Sequence, residues 1–351
     1  MQIPLRDTAI RNRRVAFLCF LCVLGVLAFA AGLAQSQVPS PAILVLSEDS
    51  SSLAIIDVQT RKIVGRVSTG LGPHEVAASD DGKLAFVTNY GLTNPVTPGD
   101  SISVIDLAAR KELRRVKIGT AARPHGITFT GGKVYFTAEG FKMIGSYDPA
   151  SDQIDWMLGN GQDRTHMLVL NRDRNRIFAS NVGSDSIAAM ERIPETPDWN
   201  VTVIPVGKAP MAIDMSPDGK EVWTAHTEDG GVSVVDAAAK KVLQTLSLGT
   251  KRTNRLKFTP DGRLVLLSDR DGGELLVLDA ATRKLVKRIP VGRKPSGILI
   301  VPDGSLAYVA VQADNNLAIV DLKTLEVTGR VPTDSNPDGM AWVAARSPAA
   351  R

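Results

Sequence analysis

A motif of about 43 residues recurs seven times along the 351-residue chain. Its clearest mark is an acidic residue that closes a short apolar run, as in SLAIID, SISVID and NLAIVD. These acidic residues are Asp57, Asp106, Asp148, Glu191, Asp236, Asp279 and Asp321, spaced by 49, 42, 43, 45, 43 and 42 residues. We assign them a structural role, because an acidic side chain after a strand accepts hydrogen bonds from amides of the following turn. Repetition with this period predicts a repeat architecture.

Each repeat predicts four short strands. In residues 210–236, two apolar-alternating runs flank a Pro-Asp-Gly turn, and a third run ends at Asp236. A fourth run closes each unit, as in KIVGRVSTG and KLVKRIPVG. The sequences SDDG, SPDG, TPDG and VPDG join first to second strands, and they contain the residues that type I turns favour. Four strands in about 43 residues is the period of a β-propeller blade.

The two ends of the repeat region indicate how the ring closes. The region begins with only the second, third and fourth strands of a unit, and it ends with only a first strand, DGMAWVAARS. We therefore predict an all-β, seven-bladed β-propeller of four-stranded antiparallel blades, closed by pairing of the N-terminal strands with the C-terminal strand. Such a closure leaves no open seam between the first and last blades.

The first 34 residues predict an export signal. Arg11, Arg13 and Arg14 precede a twenty-residue apolar run that ends in small residues. Cleavage after Ala34 or Ala30 fits this pattern, whereas an uncleaved run is long enough to anchor the chain in a membrane. The predicted segments are a signal or anchor at 1–34, a linker at 35–41, the propeller at 42–346 and a tail at 347–351. The predicted location is the periplasm or the cell surface, with membrane contact only through an uncleaved leader.

Composition excludes several kinds of site. Cys19 and Cys22 lie within the predicted leader, so the mature domain has no disulfide, thiolate metal site or cysteine nucleophile. The formal net charge of +4 falls to +1 without the leader, which leaves 37 Lys and Arg against 36 Asp and Glu. No overall field therefore attracts the domain to nucleic acid or to an anionic membrane. Motifs for phosphate loops, serine hydrolases, zinc proteases and haem attachment are missing.

The details of the repeat carry a family resemblance. Pro-Asp-Gly precedes an apolar second strand, SISVID-like third strands follow, and one tetrapeptide recurs at 86–89, 178–181 and 308–311 as FVTN, FASN and YVAV. This pattern resembles the YVTN family of seven-bladed β-propeller repeats over essentially all of residues 42–346. The resemblance implies an exported or cell-surface propeller, often of unknown ligand, and at least one relative is similar to a DNA-binding propeller. In outline the fold also resembles that of lactonases and streptogramin lyases.

Function is sought where the repeats differ. In a propeller, the starts of the first strands and the ends of the second strands meet at one mouth of the central channel. The residues at the first-strand starts are His74, His125, His166, Met211, Asn254, Ser296 and Asp338. Those at the second-strand ends are Ser47, Asn89, Glu139, Asn181, His226, Asp269 and Gln312. We predict that both sets converge on one rim, which then contains all four histidines.

Two kinds of ligand suit this rim. His125, His166 and Glu139 would hold a divalent metal in an open geometry, unless each imidazole simply bonds a neighbouring carbonyl. Cations precede several first strands, namely Arg123, Arg164, Arg252 and Lys294, and they suit a carboxylate or phosphate unless Glu139, Asp269 and Asp338 neutralise them. The predicted ligand-binding residues are His74, His125, His166, His226, Asn89, Asn181, Arg123, Arg164 and Arg252. Aromatic residues are 5% of the chain, which disfavours stacking of single-stranded nucleic acid.

Two functions follow, and the first is preferred. It is a non-enzymatic exported propeller that binds a small anionic ligand, a metal ion or a protein partner at the rim. The alternative is a metal-assisted lactonase or lyase, in which His125 or His166 is the general base and Glu139 is a metal ligand. Arg164 would then stabilise a developing oxyanion. A scaffold that uses the sides of the blades is a third reading, because repeat proteins offer large surfaces.

Overall fold

The computed structural model describes residues 41–344. The predicted leader at 1–34, the linker at 35–41 except for Pro41, and the tail at 347–351 lie outside the described residues. Within 41–344, no helix has the length and apolar character needed to span a membrane. This part of the chain consists of 28 β-strands and two short 3₁₀ turns.

The strands fall into seven groups, which we call blades 1 to 7. Blade 1 contains β1 (Ala42–Ser47), β2 (Ser52–Asp57) and β3 (Lys62–Ser68). Blade 2 contains β4 (Pro73–Ala78), β5 (Leu84–Thr93), β6 (Val96–Asp106) and β7 (Lys111–Lys117). Blade 3 contains β8 (Pro124–Thr130), β9 (Lys133–Ala138), β10 (Met143–Asp148) and β11 (Gln153–Gly159). Blade 4 contains β12 (Thr165–Leu170), β13 (Arg176–Asn181), β14 (Ser186–Arg192) and β15 (Trp199–Pro205).

The remaining strands repeat the same order. Blade 5 contains β16 (Pro210–Met215), β17 (Glu221–His226), β18 (Gly231–Asp236) and β19 (Lys241–Ser247). Blade 6 contains β20 (Thr253–Phe258), β21 (Leu264–Asp269), β22 (Glu274–Asp279) and β23 (Lys284–Pro290). Blade 7 contains β24 (Pro295–Ile300), β25 (Leu306–Val311), β26 (Asn316–Asp321) and β27 (Glu326–Pro332). The last strand is β28 (Pro337–Val343), and the 3₁₀ turns are Glu139–Phe141 and Gln312–Asp314.

Each blade is an antiparallel sheet whose first strand lines the centre of the molecule. The first strands of neighbouring blades contact one another around a complete ring, from β4 through β8, β12, β16, β20 and β24 to β28. Blade 1 has the strand order β28-β1-β2-β3, with Ala42 opposite Val343. The predicted seven-bladed propeller and its closure by both ends of the chain are therefore confirmed.

The core lies between the faces of adjacent blades. Trp223 of blade 5 is fully buried and packs edge to face on Phe258 of blade 6. Because the third strands are covered on both faces, sequences such as ELLVLD and NLAIVD have continuously apolar interiors instead of alternating ones. The outermost strands, such as β7 with KELRRVK, alternate between partly buried and exposed residues. Their lysines and arginines protect the outer sheet edges from pairing with other chains.

The repeated acidic residues hold turns, as predicted. The Asp57 carboxylate accepts a hydrogen bond from the Thr60 amide at 2.6 Å, and Asp321 does the same for Lys323 at 2.8 Å. Glu191 is the exception, because it forms ion pairs of 2.8 Å with Arg176 and Lys240. These acids belong to the scaffold.

A β-bulge occurs near the start of every innermost strand. The register shifts between Pro73 and Val76 in blade 2, and between Thr165 and Leu168 in blade 4. Bulges also occur at the corresponding places in the other five blades. A bulge inserts an unpaired residue and redirects its side chain. In each blade the bulge places two consecutive side chains near the channel mouth, where a regular strand would place one.

The inner strands approach one another closely at the bulges. A Cβ atom on Gly297 would lie 2.2 Å from the backbone oxygen of Asp338 in the next blade. We expect Gly297→Ala to lower the free energy of unfolding by about 1–3 kcal/mol, because the inner strands must shift to accept the methyl group. Gly159→Ala is the matched control, since nothing lies within 4 Å of a Cβ there. Equal urea midpoints for the two variants would contradict this close approach.

Candidate functional site

Three histidines from consecutive blades stack at one mouth of the channel. The ring centroids of His74 and His125 are 4.9 Å apart, and those of His125 and His166 are 3.7 Å apart. Each histidine is the second residue of the innermost strand of its blade and lies within the bulge. We call these three residues the histidine stack. His125 is 3% exposed and His166 is 4% exposed, so the inner part of the stack is shielded from water.

Glu139 holds the ring of His166. Its Oε1 atom is hydrogen-bonded to Nδ1 of His166, and its Oε2 atom accepts a bond from the Tyr90 hydroxyl at 2.8 Å. Burial alone would raise the pKa of Glu139, but His166, Tyr90 and Arg164 outweigh burial and lower it. Burial lowers the pKa of His166 in spite of the nearby carboxylate. An ionised Glu139 can only accept, so a neutral His166 donates its Nδ1 proton.

This pairing leaves Nε2 of His166 without a proton, so that the atom has a free lone pair. That atom is buried and has no hydrogen-bond partner, and the same is true of Nδ1 of His125. Burial and the neighbouring rings of His166 and His74 hold the pKa of His125 well below its usual range, so its imidazole is neutral as well. Two neighbouring rings thus each carry a buried nitrogen without a partner.

The other side of the stack is acidic. Nδ1 of His74 lies 3.3 Å from Oδ2 of Asp338 and 3.8 Å from Oε1 of Glu48. Burial and the neighbouring Asp338 raise the pKa of Glu48 to about 7. Burial alone would lower the pKa of His74, but the bond to Asp338 and the two carboxylates outweigh burial and raise it. Among residues 41–344, these three form the one group whose metal-ligating atoms all lie within 4.8 Å of one another.

An arginine that the sequence analysis missed crosses the channel beneath the stack. Nη2 of Arg255 in blade 6 lies 2.5 Å from Oε1 of Glu75 in blade 2 and 3.4 Å from Oδ2 of Asp338 in blade 1. Burial alone would lower the pKa of Arg255, but the two carboxylates outweigh burial and raise it. One feature of the sequence could have indicated this ion pair. Glu75 and Arg255 have opposite charges at one repeat position, which is occupied in three other blades by Gly126, Gly297 and Gly339.

Three predicted ligand-binding residues form hydrogen bonds with adjoining loops. His226 pairs through Nδ1 with Asp229 at 3.0 Å, and its Nε2 accepts a bond from the Gly207 amide at 3.3 Å. Asn89 accepts a bond from the Gly70 amide at 2.9 Å. Asn181 accepts bonds from Asn160 and Thr165 through Oδ1 and donates to Ser186 through Nδ2. Side chains at the ends of second strands therefore fix the adjoining loops.

Two of the four predicted cations lie beside Glu139 and Tyr90. Nη1 of Arg123 donates to the Tyr90 hydroxyl at 3.3 Å, and its guanidinium lies 5.0 Å from the centre of that ring. Nε of Arg164 is 3.9 Å from Oε2 of Glu139, and about half of its side chain is exposed. Arg252 and Lys294 are exposed, with no contact to the histidine stack.

The predicted metal set of His125, His166 and Glu139 stays a prediction. Glu139 is hydrogen-bonded to His166 through Oε1 and to Tyr90 through Oε2. In this arrangement Glu139 orients the ring of His166.

These features define a seven-bladed β-propeller with a histidine and carboxylate cluster at one channel mouth. The model of the cytochrome D1 heme domain family matches residues 161–303, which is less than half of the chain. This match agrees with the propeller class, and the YVTN family stays a resemblance. No curated protein matches the sequence.

Solved structures share the fold at low identity. Hydrazine synthase of Kuenenia stuttgartiensis is 19% identical with a TM-score of 0.69, and the similarity covers 82% of this chain and 97% of that one. The periplasmic gluconolactonase of Pseudomonas aeruginosa is 18% identical with a TM-score of 0.69, covering 87% and 99%. A protein from Lactobacillus plantarum is 14% identical with a TM-score of 0.72, covering 86% and 99%. At these identities the similarity concerns the fold alone.

Proposed function

We propose that the protein is an exported binding propeller that holds a divalent transition-metal ion between His125 and His166. The observation that carries this proposal is the pair of buried nitrogens without partners, Nδ1 of His125 and Nε2 of His166. Buried polar atoms nearly always have a hydrogen-bond partner, so two unpartnered ones on adjacent rings need an explanation. Neutral imidazole nitrogens are the commonest protein ligands of transition metals.

The position of Glu139 supports the same function. Metal-binding histidines usually donate their second ring N–H to a carboxylate or carbonyl, which fixes the tautomer and the ring orientation. Glu139 accepts the Nδ1 proton of His166 and thereby directs a lone pair from the opposite side of the ring. The carboxylate is in turn fixed by Tyr90, whose pKa burial and Glu139 raise to about 12, so its hydroxyl keeps its proton.

An ion on two imidazoles keeps open coordination positions. Those positions suit water or an added ligand, as in metal sites that exchange substrates. Arg123 and the half-exposed Arg164 lie at the same mouth and favour an anionic ligand. We therefore expect a small anion, such as a carboxylate, to bind together with the ion. The apolar leader and the periplasmic gluconolactonase among the structural neighbours support export to the periplasm.

A titration with Zn²⁺ by calorimetry tests the metal site. We expect about one bound ion in the wild-type protein, loss of binding in His125→Ala and in His166→Ala, and affinity lowered about 10–100-fold in Glu139→Gln. His226→Gln is the matched control, because both nitrogens of His226 are engaged, one by Asp229 and the other by the Gly207 amide. Absence of Zn²⁺ binding in the wild type would refute the proposal. So would binding that survives both alanine variants and is lost in His74→Ala.

The matching family model is named for a haem domain, but a haem does not fit the histidine stack. The matched segment contains the free nitrogen of His166, but its ring lies 3.7 Å from that of His125 and is buried. A flat macrocycle would need the space that His125 fills.

The alternative of a metal-assisted lactonase rests on His125. In this alternative His125 acts as the general base instead of as a metal ligand, because one lone pair cannot do both, and its lowered pKa keeps it unprotonated at neutral pH. The protein with bound Zn²⁺ would then hydrolyse glucono-δ-lactone, and His125→Ala would lose that activity. Bound Zn²⁺ without turnover of the lactone would favour the binding function.

A further inference from the structure

The opposite mouth of the channel contains a large cavity. Its volume is about 920 Å³, and the turn at residues 216–219, which joins a first to a second strand, lies at its edge. Glu75 and Arg255 line its inner end, and their ion pair spans the channel from blade 6 to blade 2. The histidine stack does not line this cavity. The cavity is therefore a blind pocket, separate from the proposed metal site.

The wall of the cavity combines polar and charged residues with a group of apolar side chains. Its lining includes Ile127, Phe129, Met167, Val169, Met215 and Met340, all of which are partly exposed. Apolar side chains that face water in a concave site favour an apolar ligand, because binding removes their surface from water. A volume of this size is within the range of small-molecule sites.

Several charged side chains of both signs line the wall, and among the cations Lys257 is weakly paired. Nζ of Lys257 lies 3.8 Å from its ion-pair partner, Oδ1 of Asp214, and 41% of the lysine side chain is exposed. The other oxygen of Asp214 accepts a bond from the Phe258 amide at 2.9 Å. By contrast, Arg255 is engaged by two carboxylates. The ammonium group of Lys257 thus has donors available for an anion.

The geometry points to a second binding site, in which this cavity takes an amphipathic carboxylate. The apolar body of the ligand packs against the wall formed by blades 3, 4 and 5. The carboxylate pairs with Lys257 of blade 6. The Glu75–Arg255 pair closes the inner end, so the ligand enters and leaves by the mouth opposite the histidine stack.

Calorimetric titration with two matched probes tests this site. Decanoate and decylammonium have the same apolar chain and opposite charges. We expect decanoate to bind at least about tenfold more tightly than decylammonium, because a charge-assisted hydrogen bond contributes that much. Titrations with and without Zn²⁺ should give the same affinity for decanoate, which separates this site from the histidine stack.

Three variants complete the design. Lys257→Glu should weaken decanoate binding about tenfold or more. Thr128→Trp should weaken the binding of both probes, because its larger side chain occupies part of the cavity. Lys241→Glu makes the same charge change on the outer strand of blade 5, away from the cavity, and should bind like the wild type. The inference is overturned if neither probe binds, if decylammonium binds as tightly as decanoate, or if the two lysine variants behave alike.

Discussion

Deletion of residues 337–351 is expected to abolish cooperative folding of the propeller. These residues include β28, which pairs with β1 and forms the innermost strand of blade 1. Without β28, β1 loses one of its two ladder partners, and β4 and β24 lose the strand that lies between them. The loss also exposes apolar side chains that now pack in the core of blades 1 and 7. We expect the free energy lost with these contacts to exceed the total folding stability of about 5–15 kcal/mol that domains possess.

The measurement is thermal unfolding followed by circular dichroism, together with size-exclusion chromatography. Deletion of residues 345–351 alone is the matched control, because it keeps β28 complete and removes only residues beyond the described part. That variant should unfold like the wild type. A sharp transition at the wild-type temperature in the longer deletion would contradict closure by the C-terminal strand.

Arg255→Met should lower the free energy of unfolding by about 3–5 kcal/mol at neutral pH. Removing the guanidinium leaves the carboxylates of Glu75 and Asp338 buried without their shared counter-charge. Arg66→Met is the matched control, because the Arg66–Asp334 pair lies at the surface and contributes at most about 1 kcal/mol. Arg255→Met/Glu75→Gln should cost less than Arg255→Met alone, since it removes one unpaired charge. Urea denaturation that ranks Arg255→Met with Arg66→Met would contradict a cross-channel role.

The cost of Arg255→Met should shrink as the pH falls. Burial alone would raise the pKa of Asp338, but the charge of Arg255 and the bond to His74 outweigh burial and lower it. A lowered pKa contributes stability that is present above the unfolded-state pKa and is lost as the pH falls through the folded-state value. Without the charge of Arg255, burial raises the pKa of Asp338. The carboxylate then takes up a proton at higher pH and loses its unpaired charge. The free energies of unfolding of the wild type and of Arg255→Met should therefore converge at acidic pH.

The fold could be predicted from the sequence because the repeat encodes it several times over. Acidic residues at a regular spacing locate every third strand, and the incomplete units at the two ends indicate the closure. The same regularity places His74, His125 and His166 in neighbouring blades. Residues at one repeat position of a ring are neighbours in space, so their stacking follows from the period.

The cross-channel pair could not be predicted in the same way. Strict alternation along a strand directs consecutive side chains to opposite faces, which would turn Glu75 and Arg255 away from the channel mouth. The bulges change that direction, and no residue pattern in the repeat marks them. The two residues also belong to blades that are not adjacent, so the period gives no reason to pair them.

The roles of the carboxylates and amides needed atomic distances. Glu139 has the residue type and position of a metal ligand, but hydrogen bonds to His166 and Tyr90 make it an orienting group. His226 occupies the same repeat position as Glu139, but its nearest acidic partner is Asp229 in its own blade. Repeat position predicts proximity to the channel mouth, whereas the direction of a side chain depends on the loop beside it.

Anomalous diffraction at the zinc edge, from crystals grown with Zn²⁺, tests the proposed metal site most directly. We expect one strong peak about 2.0–2.1 Å from Nε2 of His166 and from Nδ1 of His125, with Glu139 still bonded to Nδ1 of His166. A peak among Glu48, His74 and Asp338 instead, or no peak at the channel mouth, would contradict the assignment of these two histidines as metal ligands.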